Sequence, residues 1–411
     1  MLLAIDLGST FLKAAICDGP VPVRRSAVRL RYEQPSPECV ELPVERFDQA
    51  VADLLAKLAM PSRPRAIAIT SQAQTFAVLS AAGNPRTPFI SWQDTSAASI
   101  GRELQADGRL QDYAEHSSFA SLHPQQMLCQ AVRLARRGLI APGDGLLPLP
   151  TRLAQLLGCA PCLDANLAAM TGMWSLRDAC WWRSALAIIG IDALQLPAVI
   201  PPGLIADRTG PSGARHGIEP GTPLVLAGND QTAGACAAGV RQGGVLIGLG
   251  TAQVAYRWCA EMPSPQAGVV RGHFPGGGAY LMAVDEVGGN AITWAAKRCG
   301  IPAGELLRMA RATPPGSRGV SFSARPGAGE GEWVAAAGAT PGELGRAVVE
   351  HLADRMAALL GRLGAADRLL VSDAEDKSDW RAIVSSRLAR ELVPVPSEPL
   401  LGAVRMLEAF A

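Results

Sequence analysis

Two carboxylates in this sequence stand where chemistry could be done. Asp230 lies in "LVLAGNDQTAGACAAG", where an apolar run delivers it through Gly228 and Asn229 into a stretch of alanine and glycine. A carboxylate at a strand end with only small residues behind it can meet a hydroxyl and take its proton. Spacing alone leaves a second reading open, in which Asp230 caps the helix that "QTAGACAAG" begins. Asp6 closes the apolar run "LLAID" just ahead of the turn "LGST". A carboxylate there could hold Mg²⁺ directly or through water, or could simply satisfy turn amides. Glycine turns of this kind expose successive backbone N–H groups that suit a phosphate, and Gly8, Ser9, Thr10 and Lys13 fall within reach of one. A second turn, Gly250-Thr251 in "VLIGLGTAQVAY", repeats the pattern. An acid for a metal, an acid for a proton and two phosphate-gripping turns are together the parts that phosphoryl transfer requires. Positioning and charge neutralisation do most of the work in that chemistry.

Those residues need rigid elements to hold them. "LLAID" and "FLKAAICD" read as two strands joined by the first turn, and "GVLIGLGTAQVAYRW" reads as the same unit again. Ile5-Asp6-Leu7-Gly8-Ser9-Thr10 set against Ile247-Gly248-Leu249-Gly250-Thr251-Ala252 brings the glycine-then-hydroxyl turns into register, which suggests a duplicated core with one copy per domain. Between the copies, Ala66 to Thr70 and Phe76 to Leu79 read as strands, and Leu122 to Leu157 as mostly helical. "LQLPAVIPPGLIADRTGPSG" is rich in proline and glycine and reads as a connector. Further on, Val348, Leu352, Met356, Leu359 and Leu363 share one helical face. "RLLV" follows as a strand, Trp380, Ile383, Val384 and Leu388 mark another amphipathic helix, "LVPVP" is a short strand, and Gly402 to Phe410 closes as a helix. Alternating strands and helices argue for α/β layers. The expected division is 1–220 for a first domain and 221–411 for a second.

Bulk composition removes several classes. The chain has 411 residues, 48% of them hydrophobic, and a net charge of +1. That gives no electrostatic reason to expect nucleic acid or an anionic membrane as partner. No apolar run approaches about 18 residues, so no membrane span is expected, and "MLLAIDLGST" lacks the basic region of a secretory signal. The nine cysteines are dispersed, as in a cytoplasmic protein with reduced thiols. Cys159 and Cys162 form one CxxC without a second pair or neighbouring histidines. The five histidines (His116, His123, His216, His273, His351) are isolated. Walker A, GxGxxG and GxSxG motifs do not occur at a credible strand-helix junction. Trp174 and Trp181-Trp182 read as packing residues of the first domain.

Taken in order, the segments resemble the FGGY family of carbohydrate kinases, members of the actin-like ATPase superfold. "AIDLGSTFLKAAICD" looks like the family's first phosphate motif, and "IAITSQAQTFAVLSAAGNPRTPFISWQD" is similar to its sugar-binding segment. "LPAVIPPG", "LAGNDQTAGACAAGV" and "VLIGLGTAQVAY" follow in the family's sequence, and "RAVVEHLADRMAALL" resembles the helix before its adenine-binding loop. The resemblance implies two actin-like (ribonuclease H-like) domains, each a mixed sheet flanked by helices, with a cleft between them. It implies Asp230 as the general base that deprotonates a sugar hydroxyl for attack on the γ-phosphoryl of ATP, and Asp6 as the residue that organises Mg²⁺. Gly8, Ser9, Thr10, Lys13, Gly250 and Thr251 would hold phosphates, with Ser372 and Asp373 at the adenine loop. Gln72, Gln74, Trp92, Asp94, Asp230 and Gln231 would line the sugar pocket. A homodimer would agree with the resemblance.

The sequence departs from the family in three places. Ser372, Asp373 and Ala374, followed by Glu375 and Asp376, stand where the family carries a glycine cluster at the adenine. Ser96 replaces an arginine often found two places after Asp94. Gln74-Thr75 replaces a histidine-containing pair. These departures leave a second reading beside the kinase: a sugar-binding or regulatory relative with weak or no ATP binding.

Overall fold

The computed structural model of the protein describes residues 1–60, 63–325, 329–335, 337–372 and 377–407. The chain forms two compact units. The first holds Met1–Ala237, Ala260–Ala279 and the stretch from Glu398 onward; the second holds Ala238–Cys259 and Tyr280–Ser397. Each is α/β, a mixed sheet flanked by helices. The division is not a single cut at residue 221. Pro223–Asn229 is a strand of the first unit's sheet, paired in parallel with Ile67–Ser71, and it carries the Asp230 turn into that unit. The stretch read as a connector is itself partly ordered into this unit. Ile205–Arg208 pairs antiparallel with Pro223–Asn229 at the sheet's edge, a position that tolerates the flanking prolines and glycines that hid it.

The first unit's main sheet runs Ile205–Arg208, Pro223–Asn229, Ile67–Ser71, Leu2–Leu7, Phe11–Asp18, Val21–Arg29. Leu2–Leu7 pairs antiparallel with Phe11–Asp18 and parallel with Ile67–Ser71. Its side chains alternate between two cores. Leu3, Ile5 and Leu7 pack with Phe47, Leu54 and Leu58 of the helix Val44–Leu58. Leu2 and Ala4 pack with Leu400, Ala403, Val404 and Leu407 of the helix Pro399–Leu407. Helices on both faces explain why these strands read as unbroken apolar runs. Asp6 belongs by parity to the face of Leu2 and Ala4. A second, five-stranded sheet of this unit runs Glu33–Ser36, Cys39–Leu42, Phe89–Ile90, Phe76–Leu79, Gly145–Pro148. The last of these strands interrupts the stretch expected to be mostly helical, between the helices Met127–Arg136 and Leu149–Leu156. Trp174 and Trp182 are buried here, as expected, and Trp182 stacks on His116 at 4.2 Å.

The second unit repeats the pairing. Val245–Leu249 is antiparallel to Gln253–Cys259 and parallel to Leu369–Ser372, which in turn lies parallel to Leu392–Val395. The duplicated hairpin read in the sequence is thus a duplication of sheet connectivity. The helix Pro341–Leu363 begins in a capping box made by Thr340 and Glu343. It buries Val348, Leu352, Met356, Leu359 and Leu363 along the stripe its periodicity predicts. The helix Ser378–Leu388 buries Trp380, Ile383 and Val384. Among the described residues no helix is long and apolar enough to cross a membrane.

Candidate active site

The first hairpin makes Asp6 and Lys13 direct cross-strand partners, with Lys13 Nζ 3.9 Å from Asp6 Oδ2. Asp6 is 4% exposed. Its carboxyl is pushed up to about 7, first by burial and then by the charge of Asp230, against a partial offset from Lys13. Glu398, just ahead of the helix Pro399–Leu407, adds to the rise. Among the described residues Asp6 Oδ1 is buried without a hydrogen-bond partner. A desolvated, unpaired carboxylate oxygen beside a second acid costs free energy that a cation would relieve. Mg²⁺ is commonly held by one or two carboxylates together with substrate phosphates and water, so the residues present fit it. Ser9 in the turn is half-buried, and Thr10 is exposed.

Asp230 opens the helix Asp230–Ala238 but does not cap it. The cap is Asn229, whose side-chain oxygen accepts the Thr232 backbone N–H at 2.7 Å. That bond serves an N–H that a helix start leaves without an intrahelical partner, and it releases Asp230 from the structural duty its spacing allowed. Asp230 Oδ1 accepts the adjacent Gln231 N–H at 2.8 Å. Its side chain keeps an opening to solvent, yet the surrounding protein is dense. Desolvation raises its carboxyl above the ordinary range, while the Gln231 amide and Lys13 pull it down. Gly228 turns the chain into this helix at φ 75, and a Cβ there would meet the Asn166 side chain at 3.1 Å. Asn166 and Asn229 carry no motif. Only the presence of two candidate caps in "GND" hinted that one acid was spare.

The segment expected to line the sugar pocket is placed unevenly. Gln72 is buried against the Gly8 turn, donating to Tyr32 Oη at 3.0 Å and more distantly to the Gly8 carbonyl at 3.5 Å. Its Oε1 is buried without a partner among the described residues. Gln74, at φ 68, donates to the Met170 carbonyl at 2.6 Å and accepts the Met127 N–H at 3.1 Å. Asp94 is wholly buried. Its carboxylate accepts the Val40 and Ser96 N–H groups, the Ser96 hydroxyl and the Gln130 amide, so it braces the segment from inside. Trp92 is 41% exposed, and Gln231 is exposed beside Asp230.

In the second unit, the turn after Val245–Leu249 is built against the start of the helix Gly289–Cys299. Gly289 N–H donates to the Gly250 carbonyl at 2.7 Å. A Cβ on Gly288 would lie 2.7 Å from the Thr251 carbonyl oxygen and 2.8 Å from that of Gly250. The pair Gly288-Gly289 was not singled out in the sequence, although adjacent glycines opening a helix mark close backbone approach. Thr251 is exposed at the turn. Ser372 Oγ accepts from Ser397 Oγ at 2.6 Å. Asp373 lies outside the described residues, as do Ala374, Glu375 and Asp376.

Residues 1–134 match the family model for the N-terminal domain of the FGGY family of carbohydrate kinases. The chain is thus similar to the FGGY carbohydrate kinases over its first third. It is 29% identical over 258 residues to the apulose kinase of Pectobacterium atrosepticum, covering 59% of this chain and 51% of that one. It is 23% identical over 344 residues to the gluconokinase of Bacillus subtilis, covering 78% and 66%. The chain thus spans between about half and two thirds of the length of these curated relatives. The crystal structure of xylulose kinase from Rhodospirillum rubrum superposes with a TM-score of 0.87 at 23% identity, covering 98% of this chain and 88% of that one. Gluconate kinase from Lactobacillus acidophilus gives 0.85 at 20% identity, covering 100% and 89%. The chain thus has the two-domain actin-like ATPase fold.

Proposed function

We propose that this protein transfers the γ-phosphoryl group of ATP to a hydroxyl of a small sugar or polyol. The observation that carries the reading is Asp230. It is an acid with a raised proton affinity, freed from capping by Asn229 and electrostatically coupled to Asp6. In this reading the substrate hydroxyl gives its proton to the Asp230 carboxylate as its oxygen bonds to phosphorus, and the bond from phosphorus to the ADP oxygen breaks. Asp6 would hold Mg²⁺, which supplies charge neutralisation on the phosphates when bound. Gly8, Ser9, Thr10 and Lys13, with Gly250 and Thr251 of the second unit, would hold phosphate oxygens. Gln72, Trp92 and Gln231 are the segment's groups left to meet the sugar, with Gln74 and Asp94 acting as internal braces. The named relatives point to ketoses and sugar acids as the substrates to try. Ser372, in place of a glycine and tied to Ser397, favours the competing reading of a sugar-binding relative without nucleotide turnover.

One assay separates the two. ADP release would be measured with Mg-ATP across apulose, xylulose, gluconate, glycerol and related sugars, with Asp230→Asn alongside. Turnover with one sugar, reduced about 10²–10⁴-fold in the variant, is the expected result. Sugar binding without turnover for any pair would overturn the kinase reading.

A further inference from the structure

The first turn of the helix that carries Asp230 is gripped from one side by a single buried amide. Asn166 is wholly buried. Its Oδ1 accepts the Asn229 N–H at 3.0 Å, and its Nδ2 donates to Thr232 Oγ1 at 3.0 Å and to the His273 carbonyl at 2.9 Å. It therefore holds the residue before Asp230 and the residue two places after it, with the acid between. The grip is itself braced. Asn166 rides on the short helix Ala165–Met170, whose N-cap Asp164 accepts the Leu167 N–H at 2.9 Å. At the other end of that helix, Gln74 fixes the Met170 carbonyl and the Met170 sulfur meets Asn229 Nδ2 at 3.1 Å. Gly228 leaves the room: any Cβ there would press on the Asn166 amide.

We propose that Asn166 is the positioning residue of Asp230, clamping residues 229 and 232 so that the intervening carboxylate is aimed and held before substrate arrives. The catalytic consequence rests on the kinase reading above; the clamp itself does not. A side chain satisfying both its amide ends inside a dense core has one orientation. A group fixed through it is preorganised, and a displacement of about 1 Å at such a place can cost a hundredfold in rate. The proposal also gives Gln74 a purpose: it couples the segment around Thr70–Thr75 to the same clamp rather than touching sugar.

The test compares the full chain with Asn166→Ala and Asn166→Asp by amide hydrogen exchange over residues 224–235 and by steady-state kinetics per folded molecule. Asn166→Ala is expected to speed exchange at Asn229 and Thr232 about tenfold or more, with distant segments unchanged. It should lower kcat about 10- to 100-fold while the KM for sugar and for Mg-ATP stays within about threefold. Asn166→Asp keeps the size and the acceptor toward Asn229 but loses the donor toward Thr232 and His273, so it should fall between wild type and alanine. It also serves if the alanine variant does not fold. Exchange unchanged in the folded variants, or a raised KM at unchanged kcat, would overturn the proposal. If the wild type turns over no sugar while exchange still quickens only around Asp230, the clamp stands and the kinase reading fails.

Discussion

At the scale of single residues, the site depends on which of two adjacent side chains caps a helix. "Asn-Asp" offers two caps, and composition cannot choose between them, because a shift of one residue in the helix start exchanges their roles. In the structure Asn229 reaches Thr232 and Asp230 is left over. Its carboxyl sits above the ordinary range because of burial. A general base must be deprotonated, so kcat/KM should fall as pH drops, with the acid limb above the ordinary aspartate range. A pH profile with its limb within or below that ordinary range would contradict the assignment. Asp6 gives a second expectation. Its folded value of about 7 lies above its ordinary 3.8, so the folded state binds a proton that the unfolded state releases. Stability without metal should therefore decline as pH rises from about 4 to about 7. Mg²⁺ should then raise the melting temperature more at pH 8 than at pH 5, and Asp6→Asn should abolish the difference, as thermal unfolding would show.

At the scale of elements, what the sequence made legible was whatever periodicity or turn chemistry wrote plainly. The strands Phe11–Asp18 and Phe76–Leu79 and the buried stripe of Pro341–Leu363 fall where alternation and helical spacing predict them. The edge strand Ile205–Arg208 was hidden, since its half-exposed residues between proline and glycine carry neither period. The enclosure of Asp94 was hidden for a related reason: "WQD" reads as a polar loop, and only the fold reveals the donors around it. The helix start at Gly288-Gly289 yields a test of the second turn. Gly288→Ala would drive a Cβ into the Thr251 and Gly250 carbonyls, and backbone cannot yield as a flexible side chain would. A forced shift of this kind costs about 1–3 kcal/mol. The KM for nucleotide should rise about tenfold or more while sugar binding is unchanged, measured by titrating each ligand separately.

At the scale of the molecule, each unit is assembled from separated pieces of chain, a fact that no local pattern announces. The first unit's sheet is covered on one face by Leu400, Ala403, Val404 and Leu407. Gly402 brings the same helix so close to the Asp230 helix that a Cβ on it would overlap the Ala233 carbonyl. Val404 is wholly buried, so Val404→Asp should place an unpaired charge in that core and cost more than about 4 kcal/mol. Denaturant unfolding of the variant would show the loss, and an unchanged midpoint would contradict the packing. The same arrangement bears on how the protein is made. On the ribosome, the strand Leu2–Leu7 emerges long before the helix Pro399–Leu407 that roofs it. The growing chain must carry an uncovered apolar face until that helix arrives. A product cut short ahead of Pro399 is therefore marked for chaperone capture and proteolysis by the very surface that helix was to hide.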